Sequence, residues 1–238
     1  MPGRDLWAVV PVKELGAAKE RLSPLLTPAL RQALMLAMLE DVLATLAAVP
    51  ELAGLLVVTV DPQAARLARR YGAQVTESGA RDGHTGAVAA AARRLAAEGR
   101  GGMLTLPGDV PLVTPAEIAA LIAAHGQAPS FTIAPSRDER GSNAVLCSPP
   151  HCVPLRFGED SFFPHLRAAE GRGITPCVRH LPGLALDIDT PQDLAFFTGI
   201  AASSRARAVL DESGLITALL SPRLKSGRDG QGLEGFGG

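Results

Sequence analysis

The chain has 238 residues, of which 47% are hydrophobic and 20% charged, and this is enough to bury the core of one large α/β domain or two small ones. Its formal net charge of -1 argues against a general nucleic-acid binder, because such proteins carry a strong positive excess on one face. The chain shows neither a signal-peptide core nor an apolar run near the roughly 20 residues that span a bilayer, so we expect a cytoplasmic protein without membrane contact.

The first half of the chain alternates apolar runs with segments of helical periodicity. The predicted strands are continuous apolar runs and lie at 7–12, 55–60, 73–77 and 102–106. The predicted helices follow them and lie at 28–49, 62–71, 85–98 and 115–125. Two of these helices begin at a Thr-Pro pair, which combines a capping side chain with a proline in the first turn.

The second half is less regular. It predicts strands at 131–136 and 143–147, a short helix at 161–171, and a strand turning into a helix at 185–197. Strands and helices that alternate in this way predict a three-layer, doubly wound α/β fold with a mostly parallel sheet. We predict a single domain at 1–201 and a mostly disordered tail at 202–238, with a peripheral helix at 206–220.

A single carboxylate stands where the fourth strand ends. The segment LTLPGDVPL (104–112) is apolar up to Pro107 and Gly108 and then reaches Asp109. Ligands of doubly wound sheets bind beyond the carboxyl ends of the strands, so Asp109 is placed to act on a ligand. The alternative is a turn residue whose side chain hydrogen-bonds its own backbone.

Two more carboxylates lie in the segment LDIDTP (186–191). Because side chains alternate along a strand, Asp187 and Asp189 project to one face. Such a pair repels unless it shares a proton, a basic partner or a metal ion, and together with Asp109 it would suit Mg²⁺. The alternative is that Asp189 only caps the helix that follows at Thr190.

The loop after the first strand supplies positive charge through Lys13, Lys19 and Arg21. At that position these side chains would neutralise phosphates bound over the strand ends, and the alternative is a solvated basic loop. The sequence has neither GxGxxG after the first strand nor GxxxxGK[ST] anywhere. The sequence therefore lacks the phosphate-binding motifs that are typical of dinucleotide-dependent redox enzymes and of P-loop hydrolases.

The three cysteines form no paired framework. Cys147, Cys152 and Cys177 are odd in number, which fits a reducing compartment. The segment CSPPHC (147–152) lacks the second ligand pair of a zinc site, so we expect free thiols.

Five segments in chain order resemble the phospholactate guanylyltransferases of coenzyme F-420 biosynthesis. They are PVK with AKERL (11–13 and 18–22), LPGDVPLVTPAEI (106–118), IAPSRDERGSNAVL (133–146), RFGEDSF (156–162) and LPGLALDIDTPQDL (181–194). The resemblance spans residues 7–197. It implies a single nucleotidyltransferase domain with the nucleotide-diphospho-sugar transferase (MobA-like) fold, related to molybdenum-cofactor guanylyltransferase.

The resemblance also implies an activity. Members join GMP from GTP to a phosphorylated three-carbon acid, release pyrophosphate and pass the product to a downstream lactyltransferase. The acid varies among 2-phospho-L-lactate, phosphoenolpyruvate and 3-phospho-D-glycerate, and we favour the last two here. Two Mg²⁺ ions are implied, and a homodimer fits the family.

By matched position, the resemblance gives roles to individual residues. The implied magnesium ligands are Asp109, Asp187 and Asp189, and Asp109 is also counted as catalytic. The implied nucleotide-binding residues are Lys13, Lys19, Arg21, Gly83 and Thr85. Lys13 would lie between the phosphates of the two substrates and is counted as catalytic. The implied acceptor-binding residues are Ser142, Gly158 and Ser161.

The chain departs from the family pattern at two places. Relatives often have Gly-Leu-Asn-x-Ala where this chain has GHTGA (83–87), so Thr85 replaces Asn near the expected nucleotide and the basis of guanine selection stays open. Ser142 stands where Thr is common, and it keeps the hydroxyl. We expect His84 to begin a helix rather than to touch a ligand.

The sequence also bears on the mechanism. A phosphate monoester has a second pKa of about 6, so the acceptor is largely dianionic at neutral pH and needs no general base. Backbone amides of 158–161 would bind the carboxylate of the acid, with Arg156 or Arg137 as a charged partner. Two alternatives keep the fold: a sugar-phosphate nucleotidyltransferase or metal-dependent glycosyltransferase, and a non-catalytic nucleotide-binding module.

Overall fold

A seven-stranded sheet forms the centre of the computed structural model, which describes residues 5–158, 160–200 and 203–214. The strands are β1 (Leu6–Pro11), β2 (Leu52–Val58), β3 (Gln74–Thr76), β4 (Gly102–Thr105), β5 (Ser130–Pro135), β6 (Ser142–Ser148) and β7 (Cys177–Val178). Their order is β3-β2-β1-β4-β6-β5-β7, and only β6 runs antiparallel to its neighbours. The predicted mostly parallel, doubly wound sheet is confirmed.

Eight helices flank this sheet in the described part of the chain. They are α1 (Pro28–Ala47), α2 (Pro62–Arg70), α3 (Gly83–Ala97), α4 (Pro115–Ala124), α5 (Phe162–Glu170), α6 (Pro182–Ala185), α7 (Pro191–Gly199) and α8 (Arg205–Glu212). The predicted starts of α1 and α4 are confirmed by their caps. The Thr27 hydroxyl accepts a hydrogen bond from the Leu30 N–H, and Thr114 forms a capping box with Glu117.

Strand β1 shows why the apolar runs are continuous rather than alternating. Leu6, Ala8 and Val10 belong to the core on the side of α1 and α4, whereas Trp7 and Val9 belong to the core on the side of α3. All five side chains are buried. A strand covered on both faces needs apolar residues at every position, and each large side chain contributes roughly 1.5–3 kcal/mol on full burial.

Three local features differ from the sequence prediction. β7 and α6 were not predicted, because elements of two and four residues are too short to show periodicity. The strand predicted at the start of 185–197 is wrong. Residues 186–189 are extended but join the rest of the fold through a single backbone bond, from the Ile188 N–H to the Asp109 carbonyl (3.1 Å), instead of a ladder.

Helix α8 lies beyond the predicted domain boundary at residue 201 and packs against α1. Ala206 and Leu210 are buried in the same core as α1. Asp41 of α1 accepts hydrogen bonds from the backbone N–H groups of Arg205 (3.0 Å) and Ala206 (3.0 Å). The helix predicted at 206–220 is therefore present as Arg205–Glu212. The remainder of the predicted tail, residues 215–238, lies outside the described residues.

Two further expectations concern the cysteines and membranes. The three cysteines carry free thiols, as predicted. Within the described ranges, no helix combines the length and the apolar character that a membrane crossing requires.

The bond between Asp41 and α8 gives a testable prediction. Asp41→Ala leaves the N–H groups of Arg205 and Ala206 without their acceptor, and that of Ala206 is buried, so we expect the free energy of unfolding to fall by about 2 kcal/mol in urea titrations. Asp211→Ala is the matched control, because Asp211 is exposed and pairs only with Arg207 one helical turn away. It should change the free energy of unfolding by less than about 0.5 kcal/mol. Equal effects of the two substitutions would contradict the assignment.

Candidate active site

A cleft of about 1260 Å³ opens at the carboxyl ends of β1 and β4. The loop after β1, the turn after β4, the start of α3, the loop at 136–141 and the extended segment before α7 line its walls. Every residue to which the resemblance gives a role lines this one cleft. β6 runs in the opposite direction to β4, so its first residue, Ser142, reaches the same edge. The fold therefore brings together residues from six separate segments, while their individual roles stay predictions.

A buried lysine connects two of the three aspartates. The Lys19 ammonium donates to Asp109 Oδ2 (2.5 Å) and to Asp189 Oδ1 (2.5 Å), and the Lys19 side chain is only 5% exposed. Burial alone would favour the neutral amine, but the charges and hydrogen bonds of both carboxylates outweigh it and raise the Lys19 pKa above its ordinary value. Lys19 is therefore charged. The alternative of a solvated loop is wrong for Lys19, whereas Lys13 and Arg21 are exposed on the cleft wall.

The backbone of the basic loop is arranged to present Lys19. Two short 3-10 turns, Leu15–Ala17 and Glu20–Leu22, lie on either side of it, and Lys19 itself has φ 57°, in the left-handed region that non-glycine residues seldom adopt. The carboxylate of Asp61 accepts a hydrogen bond from the Leu15 N–H (3.0 Å) while it also caps α2. The sequence analysis did not identify Asp61 as an anchor of this loop.

Asp109 interacts with both of the other aspartates. It shares Lys19 with Asp189, and its charge acts on Asp187. Its Oδ2 is held by Lys19, which replaces the local bond expected of a simple turn residue. Its Oδ1 is buried and has no hydrogen-bond partner among the described residues. A buried carboxylate oxygen without a donor is costly, and a bound cation would satisfy it. This atom is the clearest sign of a cation position in the cleft.

Asp187 carries the strongest sign of unbalanced negative charge. Burial first, and then the nearby charge of Asp109, raises the pKa of Asp187 to about 6. A hydrogen bond from Asn143 Nδ2 (3.0 Å) opposes this shift but does not cancel it. Among the residues that the structure describes, the carboxylate of Asp187 forms no ion pair with a lysine or arginine.

The alternative that Asp189 only caps α7 is wrong. Thr190 is the N-cap, and it forms a capping box in which its hydroxyl accepts from the Asp193 N–H and the Asp193 carboxylate accepts from the Thr190 N–H. The side chain of Asp189 is thus left to bind Lys19. Asp187 and Asp189 are both half-buried and alternate with the buried Ile188, as the pattern predicted.

The donor set fits magnesium that arrives with a phosphate ligand. In the described ranges, no three His, Cys, Asp or Glu side chains lie close enough together to hold a metal ion on their own. Mg²⁺ in phosphoryl-transfer sites typically takes one or two carboxylates and fills its octahedron with substrate phosphates and water. Asp109, with its unpartnered oxygen, and Asp187 match that requirement better than they match a resident ion.

A second cluster lies on the opposite wall of the cleft. Ser142 Oγ lies 2.9 Å from His165 Nδ1 and accepts a hydrogen bond from Ser161 Oγ (3.2 Å), and all three side chains are buried. His165 Nε2 accepts from the Arg156 N–H (2.9 Å). Burial, and then the charge of His84, lowers the pKa of His165 to about 4. The sequence analysis missed His165, although its spacing of four residues from Ser161 within a helix places both on one face.

Thr85, on α3, also holds the loop before α5 through the backbone of Phe157. Thr85 Oγ1 accepts from the Phe157 N–H (3.0 Å) and donates to the Phe157 carbonyl (3.4 Å). His84, the second residue of α3, stacks on the Phe157 ring with centroids 4.4 Å apart. A methyl group added to Gly158 would meet no protein atom within 4 Å, so the backbone there faces open space. Thr85 thus joins the wall of α3 to the loop expected to bind the acceptor.

Only one of the two arginines proposed as carboxylate partners lines the cleft. Arg137 lies on the wall, where its guanidinium pairs with Asp193 (3.4 Å) and stacks over the ring of Phe196 (4.3 Å to the centroid). Arg156 contributes its backbone N–H to His165. These contacts hold Arg137 against α7 at the cleft, so it is the better candidate of the pair.

Comparison with known proteins places these features in a family. A family model described as "Guanylyl transferase CofC like" matches residues 6–210. A phosphoenolpyruvate guanylyltransferase from Rubrobacter xylanophilus is 42% identical over 199 residues, which cover 80% of this chain and 92% of that protein. A 3-phospho-D-glycerate guanylyltransferase from Colwellia psychrerythraea is 37% identical over 189 residues, which cover 78% and 88%.

Solved structures support the fold alone. A protein described as a nucleotide-diphospho-sugar transferase from Desulfovibrio desulfuricans G20 has a TM-score of 0.70 at 18% identity and covers 90% of this chain and 98% of its own. A nucleotidyl transferase from Methanothermobacter has a TM-score of 0.58 at 19% identity and covers 81% and 95%. The predicted nucleotide-diphospho-sugar transferase fold is therefore confirmed.

The raised pKa of Asp187 predicts a pH-dependent cost to stability. The folded pKa, about 6, lies above the ordinary value of 3.8, so folding is increasingly penalised as pH rises through this window. Asp187→Asn removes the charge and should raise the free energy of unfolding at pH 7 by about 1–2 kcal/mol, with almost no gain at pH 3.5. Urea titrations of both proteins at the two pH values measure this difference. A gain that is the same at both would contradict the charge-based explanation.

Proposed function

Because this chain belongs to the CofC-like guanylyltransferase family, we propose that it transfers GMP from GTP to a phosphorylated three-carbon acid and releases pyrophosphate. We favour phosphoenolpyruvate or 3-phospho-D-glycerate over 2-phospho-L-lactate as the acceptor. The observation that carries the proposal is the buried contact of Lys19 with Asp109 and Asp189, beside a carboxylate oxygen that has no donor in the described structure. This arrangement suits a magnesium-bound triphosphate better than a sugar or a peptide.

The proposed mechanism depends on positioning and charge neutralisation. A phosphate oxygen of the acid attacks the α-phosphorus of GTP in line, and the bond to pyrophosphate breaks as the new diphosphate bond forms. The acceptor phosphate is already largely dianionic at neutral pH, so no residue needs to remove a proton. His84 and His165, whose pKa values are lowered to about 4, are neutral at that pH and are not needed as bases.

The proposed mechanism assigns magnesium and the triphosphate to one wall of the cleft and the acceptor to the other. Asp109, Asp187 and Asp189, which all line the cleft, would hold magnesium. When bound, magnesium would neutralise the phosphates of GTP and orient them for in-line attack. Further positive charge for the triphosphate would come from Lys19, Lys13 and Arg21 on the same wall.

The acceptor would bind on the opposite wall. The hydroxyls of Ser142 and Ser161 and the open backbone at Gly158 offer hydrogen-bond donors at the start of α5. Gly83 and Thr85 would lie near the nucleotide, although the contacts of Thr85 are made with Phe157 of the acceptor loop. Guanine selection therefore stays open.

The family resemblance supports a wider setting for this activity. We propose that the enzyme acts in coenzyme F-420 biosynthesis in the cytoplasm, with two Mg²⁺ ions, as a homodimer, and that its product passes to a lactyltransferase. The sugar-nucleotide alternative shares only the fold, because the solved structures that suggest it are less than 20% identical to this chain. The names of the curated relatives favour the phospho-acid.

A pyrophosphate-release assay tests the proposal. GTP is supplied with each of the three phospho-acids in turn, with and without magnesium, and ATP, CTP and UTP serve as nucleotide controls. The lactyltransferase is included because it consumes the unstable product. We expect magnesium-dependent release with GTP and one acid, and loss of release when EDTA is added. Silence with every acid together with turnover of a sugar phosphate would overturn the proposal.

Asp109→Asn tests the charge that the mechanism requires. The amide keeps the shape of the side chain but loses the negative charge that pairs with Lys19, so we expect turnover to fall by about 1,000-fold or more while circular dichroism stays unchanged. Asp5→Asn is the matched control, because Asp5 also forms an ion pair, with Arg100 (3.3 Å), but does not line the cleft. Normal turnover in the Asp109 variant would remove the claim that this carboxylate acts in catalysis.

A further inference from the structure

The hydrogen bonds around His165 fix the position of its ring proton. A backbone N–H can only donate, so His165 Nε2, which accepts from Arg156, carries no proton. A neutral imidazole with a bare Nε2 must carry its proton on Nδ1. Nδ1 is the atom that lies 2.9 Å from Ser142 Oγ, so the ring donates to that hydroxyl.

Counting protons shows what this tautomer does to the two serines. Nδ1–H and the two hydroxyls supply three donors, but the contacts among His165, Ser142 and Ser161 use only two. One hydroxyl proton therefore remains to donate elsewhere. With the opposite tautomer, both hydroxyl protons would be used inside the cluster, and only lone pairs would face outward.

The remaining hydroxyl proton is available to the cleft. Ser142 and Ser161 line it, and Ser161, although it is the N-cap residue of α5, makes no side-chain capping bond to the helix. Its hydroxyl is directed instead to Ser142. A buried hydroxyl pair with a spare donor favours an anionic oxygen over a cation or an apolar group.

We propose that His165 is a positioning residue that, by donating from Nδ1, keeps the Ser142–Ser161 pair as a hydrogen-bond donor to a carboxylate or phosphate oxygen of the acceptor. This inference rests on the proposed function for the identity of that acceptor. The cluster would then select an oxyanion without carrying a charge of its own. His165 acts through the serines and touches no reacting atom.

The surroundings of His165 hold the ring in this state. Its side chain is 1% exposed, and its edge packs against the Phe157 ring at 5.1 Å between centroids. Protonation of Nε2 would set an N–H against the N–H of Arg156. The lowered pKa of His165 agrees with this geometry, because burial disfavours the imidazolium.

Nitrogen NMR tests the tautomer without any need for turnover. The ¹⁵N-labelled full chain at pH 7 should show His165 protonated at Nδ1 and not at Nε2 in long-range ¹H–¹⁵N spectra, assigned with the His165→Asn variant. An Nε2–H tautomer, or a doubly protonated ring, would overturn the inference whatever the enzyme's activity.

Two variants of similar shape separate the donor from the packing. His165→Asn can place an amide N–H toward Ser142, whereas His165→Leu cannot, and both lose the bond from Arg156. We expect the leucine variant to raise the KM for the acid by about tenfold or more, the loss of one hydrogen bond to a charged group, with the KM for GTP within about twofold. The asparagine variant should recover the acid KM to within about threefold.

His125→Asn is the matched control. His125 is also a buried histidine in hydrogen-bond contact with hydroxyls, those of Thr132, Ser130 and Ser148, but Ser148 lies at the end of β6 away from Ser142. It should leave both KM values unchanged. Equal acid KM values for the asparagine and leucine variants of His165 would overturn the inference.

Failure of the proposed function is a separate outcome. If no phospho-acid supports turnover, calorimetric titration of phosphoenolpyruvate into the wild-type, asparagine and leucine proteins makes the same comparison by affinity. Weaker binding by the leucine variant alone would support the role of His165, and equal binding or none by the wild type would overturn it.

Discussion

The contact of Lys19 with Asp109 and Asp189 is the interaction on which the cleft depends. It joins the loop after β1 to the turn after β4 and to the segment before α7, three stretches that are far apart in the chain. A buried charge without a partner is much more costly than a buried pair, so Lys19, whose side chain is buried, requires these carboxylates. The contact also explains why Lys19 is held in a left-handed backbone conformation that would otherwise be unfavourable.

The two walls of the cleft offer a ligand different kinds of interaction. The wall of Lys19 and the aspartates carries full charges that act on one another: after burial, the charge of Asp109 contributes most to the raised pKa of Asp187. The wall of Ser142, Ser161 and His165 is uncharged and works through hydrogen-bond direction. Charges attract a polyphosphate from a distance, whereas oriented hydroxyls discriminate among small acids at contact. A guanylyltransferase that joins two anionic substrates benefits from both.

Much of the fold could be predicted from the sequence, because its signals are local. Continuous apolar runs marked the parallel strands, and Thr27 and Thr114 marked two helix starts that the structure confirms. The contacts within the site could not be predicted in the same way. Lys19 was identified as a phosphate ligand by position, yet its burial against Asp109 depends on a loop conformation without periodicity. His165 was missed because its partners, Ser142 and Arg156, come from other segments.

The reversed direction of β6 has a consequence for how such a site can change. β5 and β6 form a hairpin whose connection, at 136–141, lines the cleft, while the sheet pairing of the hairpin begins only at Pro135 and Ser142. Hairpin connections tolerate insertion and substitution far better than the strands they join. Substitutions in this connection can therefore reshape the side of the cleft next to Ser142 while Lys19 and Asp109, which follow β1 and β4, keep their contact. In this way, one fold can come to accept several different acids.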